Sequence, residues 1–206
     1  RLGKLPATPC VVLMNKKRDG TFKSRLGVLG NRYTPEGGGK MDLYASCVSN
    51  QSNRLLACLS ARLGWHLAAY DVGNAFIRAT IRSRVAVRLP DSPTWREGNE
   101  VTGEKDSGIR ILQKCLYGLK ESPREWQKCY NDCLIKLGFK VSLLHPGIYV
   151  KMDVNGEISH MLSVYVDDCL LSSRSDAELQ EMIKILHSKH PLSLIKSDDY
   201  TDKNGL

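Results

Sequence analysis

Residues 164–171 read Val164-Tyr165-Val166-Asp167-Asp168-Cys169-Leu170-Leu171. Two aspartates interrupt an apolar segment here, and the flanking runs have the length of two short strands joined by a tight turn. A plain hairpin turn is one interpretation, because aspartate side chains accept hydrogen bonds from nearby backbone amides in turns. A bound cation is the other, because an unpaired carboxylate among apolar residues is costly.

A third aspartate has a similar setting earlier in the chain. Asp71 closes the apolar run Leu67-Ala68-Ala69-Tyr70, where a helix cap or a turn is the alternative explanation. Two like charges about 4 Å apart repel by roughly 1 kcal/mol in water and by about 4 kcal/mol at an effective dielectric constant of 20. Clustered aspartates therefore need protons or cations, and their oxygen ligands favour Mg²⁺. By contrast, Asp198-Asp199 lies in a polar tail, which indicates a solvent-facing pair.

The segments around these aspartates predict an α+β fold, with an antiparallel sheet and helices on one face. Helical spacing of apolar residues predicts helices over residues 48–63, 122–137 and 175–186. Short apolar or alternating runs predict strands over residues 10–14, 21–28, 66–72, 84–89, 148–152, 158–163, 162–166 and 169–171.

Boundary residues sharpen these helix predictions. Ser122 is expected to cap the second helix, with Pro123 in its first turn, and Ser175 to cap the third through a Ser-x-x-Glu capping box. Residues 91–110 are rich in polar residues, glycine and proline and are expected to form a surface insertion.

Composition indicates one folded domain with a basic surface. Of the 206 residues, 42% are hydrophobic, and the net charge of +8 favours a polyanionic partner. The seven cysteines form no Cys-x-x-Cys pair, so a reducing, intracellular compartment is expected. No run approaches the roughly 18 apolar residues that cross a bilayer, so no membrane partner is expected. The chain does not begin with Met, which favours a piece of a longer polypeptide.

Three motifs occur in order: Asp71-Val72-Gly73-Asn74-Ala75-Phe76, Leu116-Tyr117-Gly118-Leu119-Lys120-Glu121-Ser122-Pro123-Arg124-Glu125-Trp126 and Tyr165-Val166-Asp167-Asp168. Together they resemble the polymerase motifs of Copia-type (Ty1/copia) retrotransposon reverse transcriptases. The resemblance extends from about Val12 to Leu194 and includes Lys23-Ser24-Arg25-Leu26. It implies a right-hand polymerase fold, with partial fingers and a leading helix in residues 1–64, a palm in 65–196, and a tail or truncated thumb in 197–206.

The resemblance also implies the catalytic machinery. Asp71 and Asp167 would hold two Mg²⁺ ions, for which Mn²⁺ is a possible substitute, and Asp168 would complete the carboxylate set. The backbone of Val72 to Ala75 would approach the second metal and the triphosphate, so Val72 counts among the metal-binding positions. The reaction implied is in-line transfer of a deoxynucleotide to the 3′-hydroxyl of a primer.

Substrate contacts are implied at two further sets of positions. Nucleotide contacts fall on Lys23, Arg25, Gly73, Asn74, Ala75, Phe76, Tyr117, Gly118 and Lys120, and primer or template contacts fall on Ser122, Pro123, Arg124, Tyr165 and Val166. Phe76 is implied to exclude a 2′-hydroxyl, although its spacing alone fits a core aromatic equally well. Gly118, Ser122 and Pro123 also fit a loop that starts a helix, and Lys23 and Arg25 also fit a solvated surface.

Two functional hypotheses follow from the residues and the resemblance together. The first is an RNA-directed DNA polymerase module of a retrotransposon polyprotein, which would act in a cytoplasmic virus-like particle or in the nucleus. Its expected partners are an RNA or DNA template with its primer, deoxynucleotides, and the integrase and ribonuclease H of the same polyprotein. The second is a catalytically silent retroelement fragment that binds nucleic acid or supports assembly.

Overall fold

The computed structural model of the chain describes residues 6–17, 19–33, 43–90 and 108–195. The chain divides into two compact units. The first unit comprises residues 1–44 and 76–126, and the second comprises residues 45–75 and 127–206. In chain order the described elements are β1 (Thr8–Lys16), β2 (Phe22–Val28), a 3-10 turn (Gly30–Arg32), α1 (Asn50–Arg62), β3 (His66–Val72), α2 (Ala75–Arg78), β4 (Ala86–Arg88), β5 (Ile109–Ile111), α3 (Ser122–Lys136), β6 (Phe139–Val141), β7 (Ile148–Met152), β8 (Ile158–Tyr165), β9 (Asp168–Ser173), α4 (Asp176–Lys189) and β10 (Leu192–Ile195).

The first unit contains a four-stranded sheet in the order β2-β1-β4-β5. β1 and β2 form the predicted antiparallel hairpin, β4 pairs parallel with β1, and β5 pairs antiparallel with β4. The last two residues of the predicted insertion at residues 91–110, Ile109 and Arg110, belong to β5. Residues 91–107 lie outside the described part of the chain.

The second unit contains a six-stranded sheet in the order β10-β3-β9-β8-β7-β6, and each neighbouring pair is antiparallel. Its core consists of side chains that are fully or almost fully buried: Tyr70, Val72, Tyr130, Leu134, Phe139, Leu162, Leu171, Leu179 and Leu186. Helices and largely antiparallel sheets thus make up the mixed architecture that the sequence predicted.

The three long helices agree with prediction in position, with two differences in detail. α1 is capped by the Ser49 hydroxyl, which accepts from the Ser52 amide, but much of its apolar stripe is solvent-exposed, including Leu55 and Leu59. The prediction that Ser122 caps α3 is wrong. The Glu121 carbonyl already accepts from the Glu125 amide, and the Ser122 hydroxyl donates to the Leu116 carbonyl at 2.7 Å.

α4 confirms the predicted cap, because the Ser175 hydroxyl accepts a hydrogen bond from the Glu178 amide at 3.3 Å. Five short elements were not predicted: the 3-10 turn, α2, β5, β6 and β10. Among the residues described here, no helix is both long and apolar enough to cross a membrane.

Candidate active site

The second unit brings two of the three predicted catalytic aspartates side by side. Asp71 lies near the end of β3 and Asp168 at the start of β9, and the register of this antiparallel pair sets them directly opposite each other. Opposed residues on neighbouring strands project from the same face of a sheet. Asp167 occupies the turn before β9, and its carbonyl oxygen accepts a hydrogen bond from the Val72 amide at 2.9 Å.

Strand alternation explains how apolar strands present these carboxylates. Side chains alternate between the two faces of a strand. Tyr70 and Val72 are both 0% exposed, whereas Asp71 between them is half-buried, and Asp168 is exposed whereas Cys169 is buried. One face therefore anchors the strands in the core while the other carries the charge.

The electrostatics of the three carboxylates are coupled. Partial desolvation of its carboxylate raises the pKa of Asp168, and the negative charges of Asp167 and Asp71 raise it further. The donor set of carboxylate oxygens has the chemistry that a hard divalent cation prefers. Within the described part of the chain, however, no group of three His, Cys, Asp or Glu side chains is arranged so that it could hold a metal ion. The carboxylates are thus adjacent, and their side chains are not arranged as a three-ligand metal site.

The turn between β8 and β9 is strained. Tyr165 pairs with Asp168, so Val166 and Asp167 form a two-residue loop, and Val166 has a φ of +60°. Such loops require positive φ at their first position and favour glycine there, whereas a β-branched residue costs about 1–3 kcal/mol. The sequence predicted Asp167-Asp168 as the turn and so missed this strain, because the observed loop lies one residue earlier and includes Val166.

The first motif continues past Asp71 into a second tight turn. Asn74 has a φ of +56°, which asparagine tolerates better than most residues, and Ala75 is buried. The Gly73 amide donates to the Pro191 carbonyl at 3.1 Å. The amides of Val72 and Gly73 are therefore both used within the protein.

The first unit brings together three of the predicted nucleotide-binding residues. The Arg25 guanidinium lies 5.3 Å from the centre of the Tyr117 ring, and the Phe76 ring meets Tyr117 edge-on at 5.1 Å between centroids. We call these three residues the aromatic cluster. Lys23 lies two positions before Arg25 on β2, so both side chains project from the same face of that strand. Lys120 is exposed to solvent.

Gly118 has a structural reason to be glycine. Its φ is +87°, and a side chain there would overlap the Val28 carbonyl oxygen. The Tyr117 carbonyl accepts a hydrogen bond from the Val28 amide at 2.7 Å, which fixes this loop against the end of β2. The loop packing thus holds Tyr117 in the aromatic cluster.

The predicted primer and template positions differ widely in accessibility. Ser122 is 1% exposed, and Arg124 is half-buried and pairs with Glu125 at 3.5 Å, whereas Tyr165 is 54% exposed. Pro123 and Val166 are half-buried. Glu121 and Glu125 of the second motif are buried, which the sequence did not indicate. Glu125 also pairs with Arg82 at 3.3 Å, and Glu121 accepts a hydrogen bond from the Ser83 hydroxyl.

Comparison with known proteins adds independent information. The reverse transcriptase (RNA-dependent DNA polymerase) family matches residues 8–199. The retrovirus-related Pol polyprotein from transposon TNT 1-94 of Nicotiana tabacum is 29% identical over 175 residues, which cover 82% of this chain and 12% of that protein. The counterpart from transposon RE2 of Arabidopsis thaliana is 26% identical over 168 residues, with coverages of 82% and 11%.

A yeast protein and a solved structure extend the comparison. The transposon Ty1-BL Gag-Pol polyprotein of Saccharomyces cerevisiae is 27% identical over 195 residues, which cover 91% of this chain and 10% of that protein. Telomerase from Candida albicans aligns with a TM-score of 0.45 and 10% identity, over 98% of this chain and 43% of that one. The chain spans about a tenth of the length of these polyproteins. The family match covers nearly the whole chain, so the resemblance found in the motifs is confirmed, and this chain belongs to the reverse transcriptase family.

Proposed function

We propose that this chain forms the palm and part of the fingers of an RNA-directed DNA polymerase, encoded within a retrotransposon polyprotein. The observation that carries the proposal is the placement of Asp71 opposite Asp168, with Asp167 in the adjoining turn. Neighbouring carboxylates on rigid strands suit a reaction in which cations bridge the protein and the phosphates of a nucleotide. Residues 65–196 would form the palm and residues 1–64 part of the fingers.

The three aspartates would act as metal ligands. Two bound Mg²⁺ ions, or Mn²⁺ in their place, would supply charge neutralisation and lower the pKa of the primer 3′-hydroxyl. Asp71 and Asp167 would contact both ions, Asp168 would complete the set, and the Val72 backbone would contribute one further oxygen. Because the carboxylates repel one another, we expect their side chains to rotate towards a common point only when a cation lies between them.

The aromatic cluster would bind the incoming nucleotide. The Arg25 guanidinium lies over the Tyr117 ring, a contact that restricts where it can move, and its paired donors suit hydrogen bonds to phosphate oxygens. Lys23 would add a second cation from the same face of β2, and Lys120 a third from the loop after Gly118. The Gly73-Asn74-Ala75 turn would approach the triphosphate, chiefly through Asn74, which is exposed.

Phe76 would select deoxynucleotides. Its edge-on contact with Tyr117 restricts rotation of the ring, so it can act as a rigid wall against a 2′-hydroxyl. Exchange of Phe76 for Ala or Val should reduce discrimination against ribonucleotides by about 10-fold to 100-fold, the range for one small group against an apolar wall. The measurement is the ratio of kcat/KM for matched deoxy- and ribonucleotides. Phe22→Val, at a 75% exposed phenylalanine, is the control, and unchanged discrimination in the Phe76 variants would remove this role.

Partners follow from the same proposal. A net charge of +8 suits a primer and template of RNA or DNA, and deoxynucleotides would be the second substrate. The remaining polyprotein, including an integrase and a ribonuclease H, would accompany the polymerase inside a virus-like particle or in the nucleus.

Primer extension tests the proposal. The wild-type parent polypeptide should extend a DNA primer on an RNA template in the presence of Mg²⁺, while Asp71→Asn and Asp167→Asn should abolish extension. Asp132→Asn, an exposed aspartate on α3, is the matched control and should extend normally. Equal incorporation by all four proteins would refute the assignment of the site.

A further inference from the structure

Directly behind the two opposed aspartates lies a group of side chains in the second unit, of which three are buried and His190 is half-buried. We call Tyr70, Tyr130, Cys169 and His190 the Tyr130 cluster. Tyr70 precedes Asp71 on β3, Cys169 follows Asp168 on β9, and these two residues are themselves opposite partners in the ladder. Strand alternation therefore sets Tyr70 and Cys169 on the face opposite the carboxylates.

Tyr130 joins this group from α3. Its hydroxyl lies 2.8 Å from the Tyr70 hydroxyl, and the Cys169 thiol donates to it at 3.9 Å. The Tyr130 ring also meets the His190 ring edge-on, with 5.7 Å between centroids. One side chain thus contacts β3, β9 and the residue that follows α4.

His190 also connects Tyr130 to β10, the other strand that pairs with β3 beside Asp71. His190 precedes Pro191, whose carbonyl accepts from the Gly73 amide, and the chain then enters β10. β10 pairs with β3 so that Ser193 lies opposite Asp71. Tyr130 therefore touches the segments that flank Asp71 on both sides.

Packing alone does not require these hydroxyls. Tyr70 and Tyr130 are 0% and 2% exposed, and a buried hydroxyl is costly unless it is hydrogen-bonded. Phenylalanine at both positions would fill nearly the same space without that cost. A hydrogen bond differs from apolar packing because it fixes the distance and direction between two groups.

We propose that Tyr130 is a positioning residue, whose hydroxyl holds the ends of β3 and β9 at the spacing that lets Asp71 and Asp168 share a cation. The aspartates repel each other on one face of the sheet. On the other face Tyr130 contacts both Tyr70 of β3 and Cys169 of β9, and these contacts resist that separation. This inference rests on the proposed function, since it assumes that these carboxylates bind metal.

The test compares the full chain with its Tyr130→Phe and Tyr149→Phe variants. Tyr149 is a matched control because it is also a buried tyrosine of the same sheet, on β7, which β8 and β9 separate from β3. The first measurement is amide hydrogen exchange at Val72, whose amide bonds to Asp167, with no metal or substrate present. The second is the affinity for Mn²⁺, followed by electron paramagnetic resonance without primer, template or nucleotide.

Tyr130→Phe should speed exchange at Val72 relative to Tyr149→Phe. It should also weaken Mn²⁺ binding by about 10-fold to 100-fold, as changes to residues behind metal ligands do. Tyr70→Phe should weaken Mn²⁺ binding to the same degree, and the double variant should add little to either single change.

Two results would overturn the proposal: an Mn²⁺ affinity of Tyr130→Phe equal to that of the wild type, or an equal loss in Tyr149→Phe. The second would show a general softening of the core. Neither measurement requires turnover, so a chain that binds Mn²⁺ but extends no primer would count against the proposed polymerase activity alone.

Discussion

The strand β8 is flanked by two tight turns, and each contains aspartate. In the turn before it, Asp153 accepts hydrogen bonds from the amides of Asn155 and Glu157 and pairs with Arg174, and these contacts lower its pKa. Directly after the turn that follows β8, Asp168 faces Asp71 and follows Asp167, and partial desolvation and those two charges raise its pKa. The same residue type is thus stabilised as an anion in one turn and destabilised next to the other.

The backbones of the two turns also differ, because the first turn is unstrained and the second is strained. The first turn uses Gly156 at a φ of +79°, where glycine is unstrained. The second holds Val166 at +60°, where a β-branched residue is rare. The first turn therefore satisfies its own charge and geometry. The second has unfavourable charge and unfavourable geometry together, a combination typical of functional sites.

The largest expected difference between the turns is in catalysis. Asp168→Asn should lower kcat for primer extension by at least about 100-fold, equivalent to roughly 2.7 kcal/mol of barrier, because it removes a proposed metal ligand. Asp153→Asn should leave kcat close to the wild-type value. Single-nucleotide incorporation with saturating template and primer measures both variants. Similar losses in the two would mean that the turns do not differ in function.

This contrast was only partly predictable from the sequence. The β8–β9 pair was predicted because apolar runs and turn residues are local signals, although its turn lies one residue earlier than predicted, at Val166-Asp167. β6 and β10 were missed because each is only three or four residues long, and β10 is defined by its pairing with β3, which is distant in sequence. The aromatic cluster was predicted as separate residues only, since the contact of Tyr117 with Arg25 and Phe76 depends on tertiary packing.

Sequence patterns also overstated the burial of α1. Leu55 and Leu59 follow the helical spacing of a core-facing stripe, yet both are at least 40% exposed, while Ser52 and Ser60 on the same helix are buried. Periodicity predicted the helix correctly, because it depends on local spacing. Which side the helix buries depends on the surface against which it packs.

A second, smaller difference concerns the backbone. Gly156→Ala should reduce the free energy of unfolding by about 1 kcal/mol through its positive φ alone. An added Cβ at Gly156 meets no atom within 4 Å, so no clash contributes. Val166→Gly should do the opposite and raise the free energy of unfolding by up to about 1 kcal/mol, because relief of strain exceeds the entropy that glycine adds to the unfolded chain.

Urea unfolding of the wild type and both variants measures these changes. Opposite signs would support the strain assigned to Val166. Destabilisation by Val166→Gly would instead show that packing of its half-buried side chain outweighs the strain.

The smallest difference, and the most direct test of the charges, is in pH dependence. The folded-state pKa of Asp153 is lowered, so its contribution to stability is present above the unfolded-state pKa and is lost as pH falls through the folded-state value. The folded-state pKa of Asp168 is raised, so its ionised form costs stability at neutral pH, and this cost disappears as pH falls through that raised value. The Asp168 cost should stay below about 1 kcal/mol, because solvent screens an exposed carboxylate.

Unfolding free energies between about pH 3 and about pH 7, at low salt, separate the two contributions. Asp153→Asn should remove stability at neutral pH and flatten the acid limb of the curve, whereas Asp168→Asn should add stability at neutral pH and have little effect in acid. Mg²⁺ should reverse the sign of the stability change caused by Asp168→Asn, but not of the change caused by Asp153→Asn. A cation between the carboxylates turns their repulsion into binding energy and so stabilises the wild type more than Asp168→Asn. If Mg²⁺ does not change the stability of the wild type, the raised pKa of Asp168 does not reflect a metal site.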